Sequence, residues 1–417
     1  MLNRCSAGTE TQPKLLIIGY VWPEPNSSAA GRRMMTFIQL FLAQEWQLRF
    51  ASPAQKGEHH VDLEAMGVAA DSIALNCASF DDYVADYQPD MVLFDRFMME
   101  EQFGWRVEQQ CPEALRILDT EDLHFLRHAR HNAVKQQRQV CYQDYCTDMA
   151  KREVAAIYRS DLTLMISEYE CQLLREQFGV PASLLCHNPF MLPEAAPLDS
   201  LPSFEQRQHF VSIGNFRHEP NWDAVLQLKQ LWPKIRQRLP QAELHVYGAY
   251  PPKKATQLHQ AKQGFMVKGW ADDAQQVVAG AKVLLAPLRF GAGQKGKLVE
   301  AMLCGTPSVT TPVGAEAMGD GGEWPGLICN SDEEFIDAAV GLYQGADWLV
   351  KQQHSRRLLA ANYDYSSLSA QLLTRIEVVK DNLAQLRLAN FTGQMLRHHH
   401  HKSTQYMAQW IEEKNKH

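Results

Sequence analysis

Long apolar runs are missing from this chain. No stretch approaches the roughly 20 apolar residues that a membrane-spanning helix needs, and "KLLIIGYVW" (Lys14 to Trp22) is short and interrupted by Gly19. A secretory signature is missing as well, because residues 1–13 are polar. Cysteine is present without organisation. The nine cysteines are scattered, only Cys141 and Cys146 lie close, and no metal-ligand spacing occurs. That usage fits a reducing compartment, so the expected location is the cytoplasm. An excess of positive charge is also absent: 41 basic against 48 acidic side chains give a net charge of −7. A general nucleic-acid binder would be basic.

Two nucleotide motifs fail in informative ways. Gly291 to Lys297 fits the first seven positions of a P-loop, but the next residue is Leu298, where a Ser or Thr would hold Mg²⁺. This argues against an NTPase, and neither a metal nor a cofactor is expected. The first strand leads into "GYVWPEPNSSAAG", which lacks G-x-G-x-x-G. This argues against a dinucleotide oxidoreductase.

What is present is a long alternation of two kinds of segment. The 417 residues are 45% hydrophobic, enough for two cores. Short apolar runs read as buried strands: "KLLIIGYVW", "MVLFD", "LRILD", "LTLMIS", then "HFVSIG", "ELHVYGA", "FMVKG" and "KVLLAPL". Amphipathic stretches lie between them. The helix from Asn221 carries Trp222, Val225, Leu228, Leu231, Trp232 and Ile235 on one stripe, assigned to core packing. Ser167 with Glu170 reads as a capping box. This pattern predicts an α/β protein of two doubly wound parallel sheets.

Four prolines (Pro189, Pro193, Pro197 and Pro202) mark the join between the halves. The expected organisation is an N-terminal Rossmann-like domain over 1–190, a linker over 191–206, a C-terminal Rossmann-like domain over 207–365, a helix over 366–388 and a polar tail over 389–417. The tail contains His398 to His401. A mobile segment is the expected reading, with metal binding as the alternative.

The sharpest feature is "RFGAGQKG", between the strand "AKVLLAPL" and the helix-like "KLVEAMLCG". Glycines at a strand end leave backbone N–H groups free, and the following helix start adds partial positive charge. Lys295 and Lys297 add full charges. Open α/β sheets bind ligands at such strand ends. The combination predicts a phosphate or diphosphate site, against the alternative of a tight turn with two solvated lysines. Glu300 lies one helical turn beyond Lys297 on the same face. A carboxylate there can accept two hydrogen bonds from a ribose diol.

These residues, with "FVSIGNFRHEPNWDAV" and "VKGWADDAQQVVAGAKVLLAPL", resemble the nucleotide-sugar-binding half of GT-B glycosyltransferases, above all the retaining family 4 enzymes of bacterial polysaccharide assembly. The likeness is dense over His209 to Met318 and weaker through "GYVWPEPNSSAAGRRMM" and "LDTEDLH". It implies two Rossmann-like domains facing across a cleft, with the C-terminal helix crossing back to the first. It also implies a metal-independent reaction, a nucleotide sugar on the second domain and an acceptor on the first. The diphosphate would rest against Lys295 and Lys297, with sugar contacts from the Gly291, Gly293 and Gln294 backbone. Glu300 matches the second glutamate of the family's E-x₇-E signature, which binds ribose. Gly31 with Arg32 matches the loop that approaches the donor phosphates. In a retaining reaction the leaving phosphate itself can take the acceptor proton.

This chain departs from the pattern at three places. The first signature glutamate is replaced by Ala292. The strand ending at Gly214 lacks the usual Arg and Lys, which leaves Arg217 as a shifted candidate. Where a catalytic histidine is common, "DTEDLH" offers Asp119, Glu121 and Asp122 as catalytic candidates, with His124 behind them. An acidic helix start is the plain alternative for these carboxylates. The basic face of Arg127, His131 and Lys135 is expected to be solvated, with contact to anionic lipid or a phosphorylated acceptor as the alternative. The expected activity is hexosyl transfer to a glycan- or lipid-linked acceptor at or near the inner membrane face. A degenerate sugar-nucleotide-binding or scaffold protein and a sugar-nucleotide 2-epimerase are the rivals.

Overall fold

The computed structural model describes residues 12–319 and 323–416. Among the described residues, thirteen strands form two all-parallel sheets. The first contains β1 (Lys14–Ile18), β2 (Gln47–Ser52), β3 (Ala69–Ser72), β4 (Met91–Asp95), β5 (Leu115–Asp119), β6 (Leu162–Met165) and β7 (Leu185–His187), in the order β3-β2-β1-β4-β5-β6-β7. The second contains β8 (Gln208–Ile213), β9 (Leu244–Tyr247), β10 (Phe265–Gly269), β11 (Ala281–Ala286), β12 (Ser308–Thr310) and β13 (Gly326–Ile328), in the order β10-β9-β8-β11-β12-β13. Both are doubly wound Rossmann-like sheets, as the alternation predicts.

Burial explains the clearest strands. All residues of β4 and β5 are buried, because helices cover both faces of the sheet. In each domain the strand order reverses beside the first strand, between β1 and β4 and between β8 and β11. Such switch points are where ligands bind in these folds. "RFGAGQKG" follows β11 and therefore sits at one of them.

The sheets divide between β7 and β8, and the connection is tied down. Leu192 donates its N–H to Tyr363 O (2.9 Å) and accepts from Tyr365 N (3.0 Å). The outgoing linker and the returning chain therefore run side by side. The helix Tyr365–Asp381 then places Leu372, Ile376 and Val379 in the N-terminal core cluster that holds Leu15, Phe37 and Leu93. A break at Asn382 separates it from the helix Leu383–Ala389.

The segment from 389 onward differs from the mobile tail expected. Phe391–Asn415 is a helix, capped by Asn390 accepting from Gly393 N (2.9 Å). It lies against the helices Phe97–Gln110 and Asp148–Arg159. Asn390 Nδ2 donates to Tyr158 O (2.7 Å), and buried Arg397 donates to Arg159 O and pairs with Glu108 (both 3.3 Å). The tail's polarity concealed these anchors, which are themselves polar. The side chains of His399, His400 and His401 lie outside the described residues.

Candidate active site

The glycine loop after β11 meets the N-terminal domain directly. Gly293 has φ 61°, a left-handed conformation that favours glycine. A Cβ there would fall 2.9 Å from Asp122 Cβ, and one at Gly296 would fall 2.4 Å from Ala29 Cβ. These two glycines therefore clear the backbone for the opposite domain, where the sequence reading had them clearing it for a phosphate.

Three interactions fasten the loop region across the cleft. Gly293 N donates to Glu170 Oε1 (2.7 Å), which also accepts from Leu123 N (3.2 Å). Arg130 Nη1 donates to Gly291 O (2.9 Å), and the same guanidinium makes a bidentate pair with Glu316 (2.8 Å twice). His131 stacks on Phe290 with ring centroids 4.3 Å apart and lies 3.0 Å from Glu219. The basic helix His124–Lys135 thus spends His131 on the interdomain contact, and Arg127 pairs with Asp122. The two lead residues of the expected solvated or lipid-facing stripe are committed internally. The capping box expected at Ser167 does not form, because the carboxylate that would complete it reaches Gly293 and Leu123 instead.

Beside this contact lies a cavity of about 90 Å³. Pro25 to Ala29, Arg32, Phe190, Leu192, Ile213, Gly214, Lys297 and Glu300 are among its lining residues. It draws on both domains and both switch points. Glu300 is buried; its Oε2 forms an ion pair with Arg32 Nη1, and its Oε1 is buried without a hydrogen-bond partner. Confinement in the cleft pushes the Lys297 amine down to about 8.

The other donor-site candidates are distributed less evenly. Gly214 lines the cavity, and a Cβ at Gly248 would fall 2.0 Å from Gly214 O. Lys295 is buried and turns back on its own loop, with Nζ donating to Gly293 O (2.5 Å). Burial pushes its amine down to about 8, opposed by Glu316. Gln294 Nε2 donates to Ala317 O (2.9 Å), leaving Oε1 buried and unpartnered. Gly31 does not line the cavity; a Cβ there would fall 2.5 Å from the Glu24 carbonyl, so it serves helix packing. Arg217 is exposed and lies over the Tyr250 ring, 3.6 Å from its centroid.

The three carboxylates of "DTEDLH" have separate environments. Asp119 is fully buried and paired with buried Arg33 (3.2 Å), which also donates to Asn188 O (2.7 Å) and Pro189 O (3.2 Å). Through Arg33 it ties β5 to the segment that follows β7, and it does not open to the cleft. For Asp122 burial works against ionisation, but Arg127 and then His124 hold it well below the usual carboxylate range. Glu121 has φ 62°, a strained position for a non-glycine residue. Burial, and next the charge of Asp119, raise its carboxyl well above the ordinary value. His124 is held by Glu153 (3.2 Å) against the edge of Phe97.

Sequence reasoning missed Arg33, Arg130, Glu316 and the cross-cleft role of Glu170. Arg33 stands next to a named residue, yet nothing local announces a partner 86 positions away. For Glu170 the local capping pattern concealed its long-range partners. Burial, and next the nearby charge of Asp122, push Glu170 up to about 8.

Residues 207–345 match the family described as "Glycosyl transferases group 1". No curated protein matches the sequence. Solved structures match it over nearly its full length. Sucrose-phosphate synthase from Thermosynechococcus elongatus superposes with a TM-score of 0.66 at 15% identity, covering 88% of this chain and 99% of that one. HepE from Anabaena, in complex with UDP and glucose, gives 0.65 at 14% identity, covering 88% and 100%. WaaG, a glycosyltransferase involved in lipopolysaccharide biosynthesis, gives 0.59 at 13% identity, covering 86% and 98%.

Two Rossmann-like sheets, a cleft between their switch points and a returning helix define the GT-B fold. The C-terminal domain is similar to the group 1 glycosyltransferases over residues 207–345, and the chain as a whole has the GT-B fold. Among the described residues, no helix is long and apolar enough to cross a membrane.

Proposed function

We propose that this glycosyltransferase moves a hexose from a nucleoside diphosphate sugar to a glycan- or lipid-linked acceptor on the N-terminal domain, without a metal and with retention of configuration. The observation that carries the donor assignment is the pairing of Lys297 and Glu300 on one cavity wall, with Glu300 Oε1 buried and unpartnered. A buried acceptor oxygen without a donor is costly, and a ribose hydroxyl is a matching donor. HepE, of the same fold, was solved with UDP and glucose.

Breaking the anomeric bond builds negative charge on the leaving diphosphate. Lys297 and the helix start at Gly296 are the groups assigned to stabilise that charge. Arg32 is paired with Glu300; a ribose bound to Glu300 would displace it and leave its guanidinium to meet the phosphates. Among the acidic candidates Glu121 is the group assigned to the reacting centre, since Asp119 and Asp122 are neutralised by arginines. The acceptor belongs to surface polysaccharide assembly at the cytoplasmic face of a membrane.

A second reading, a non-catalytic sugar-nucleotide-binding protein, draws on the Arg32–Glu300 pair, which occupies the ribose position from within. Donor hydrolysis in the presence of a chelator separates the two readings. Release of sugar with its anomeric configuration retained supports the transferase, and binding without turnover supports the alternative.

A further inference from the structure

Ala292 stands where the family signature has a carboxylate, and the structure shows where its side chain goes. It is buried in the N-terminal domain's core cluster, together with Leu123, Leu126 and Met165. A glutamate at this position would carry a charge into that cluster, at high desolvation cost. The tip of the donor loop is therefore an interdomain contact in this protein.

A different carboxyl group serves the same tip. Glu170, on the helix Glu168–Phe178 of the N-terminal domain, is completely buried. Its Oε1 accepts from Gly293 N and from Leu123 N at once, and its Oε2 is buried without a partner. One carboxyl oxygen thus joins the residue after Ala292 to the turn that carries Glu121 and Asp122. Both amides are backbone donors with fixed directions, so the contact sets the loop's position as well as its distance from the other domain.

We propose that Glu170 is the positioning residue of the donor loop, anchoring it from the N-terminal domain so that the sugar-diphosphate end of the site takes shape only when the domains are closed. This rests on the donor reading given above. Glu170 acts through the Gly291–Gly293 backbone, so its effect falls on the part of the donor nearest that loop. The nucleoside end, held by Glu300, is spared.

The test is isothermal titration of wild type, Glu170→Ala and Glu170→Gln with a nucleoside diphosphate sugar and with the matching nucleoside monophosphate. Glu170→Ala is expected to weaken the sugar nucleotide about tenfold and leave the monophosphate within about twofold, the scale of one buried hydrogen bond. Glu170→Gln keeps an acceptor oxygen for Gly293 N and is expected to stay within about threefold of wild type for both. Equal weakening of both ligands by Glu170→Ala, or no weakening, overturns the proposal. Hydrogen exchange of the loop in unmodified protein gives a reading that needs no variant. Protection of the Gly293 amide comparable to β11 is expected, and exchange at the rate of an open turn overturns the proposal. A wild type that binds the monophosphate but no sugar nucleotide overturns the donor reading and this role with it. A normal wild type with an unaffected Glu170→Ala overturns this role alone.

Discussion

Arg32 and Glu300 are 268 positions apart in the chain and form an ion pair across the interdomain cleft. Glu300 is the ribose-binding candidate, and Arg32 is a phosphate-binding candidate from the opposite domain. In the structure they satisfy each other. The pair keeps a buried carboxylate from standing unpaired, and a donor that separates them must offer each a substitute. In the proposed donor complex the diphosphate and the ribose diol would be those substitutes.

Removing Arg32 tests this exchange. Arg32→Ala is expected to lower donor affinity by about tenfold or more, since a charge-assisted contact to phosphate is lost. The nucleoside alone, which has no phosphate, is expected to bind as well as before or better, because Glu300 no longer has a competitor. Titration of both ligands measures the two effects. Parallel losses would show that Arg32 holds the fold and not the donor.

Arg33, the next residue, has a different task. It neutralises Asp119, and both side chains are buried. Arg33→Leu leaves Asp119 charged and unpaired, which costs about 3–5 kcal/mol. Urea denaturation is expected to show this loss. Asp119→Asn is expected to cost a comparable amount, because it leaves the buried Arg33 guanidinium without its counter-charge. The contrast between the neighbouring arginines distinguishes a structural carboxylate, Asp119, from the ligand-binding candidate Glu300.

The amine of Lys297 gives the donor site a pH dependence. Confinement in the cleft brings it down to about 8 from an ordinary value of 10.5. The protonated form binds an anionic diphosphate, so donor affinity is expected to hold below about pH 8 and fall as pH rises through it. Lys297→Met is expected to abolish that fall together with most of the affinity. The same variant is expected to raise the melting temperature at pH 7, because the folded protein no longer holds a charge in a confined site. Calorimetry at pH 7 checks the sign.

The strands legible in the sequence are those with clear apolar runs: β1, β4, β5 and β6 in the first domain and β8, β9, β10 and β11 in the second, although β10 lies at a sheet edge. The strands that escaped notice are β2, β3, β7, β12 and β13. They lie outside the central apolar runs or are only three or four residues long; β2 carries Arg49, and β3 reads "AADS". Their strand character comes from a neighbour's hydrogen bonds, not from their own composition. The site followed the same rule. Lys297 and Glu300 were legible because they share one helix face. The Glu170–Gly293 and Arg130–Glu316 contacts join residues 123 and 186 positions apart, and no local pattern carries such information.

The donor site is the central assignment. The deciding measurement is titration of a panel of UDP-, GDP-, ADP- and dTDP-sugars, in chelator, against wild type and Glu300→Ala. The result expected is saturable binding of one nucleotide class by wild type, weakened at least about tenfold in the variant by the loss of the hydrogen bonds to the ribose. Absence of binding by any of the four, or equal binding by the variant, would contradict the assignment of the Lys297–Glu300 cavity as a nucleotide-sugar site.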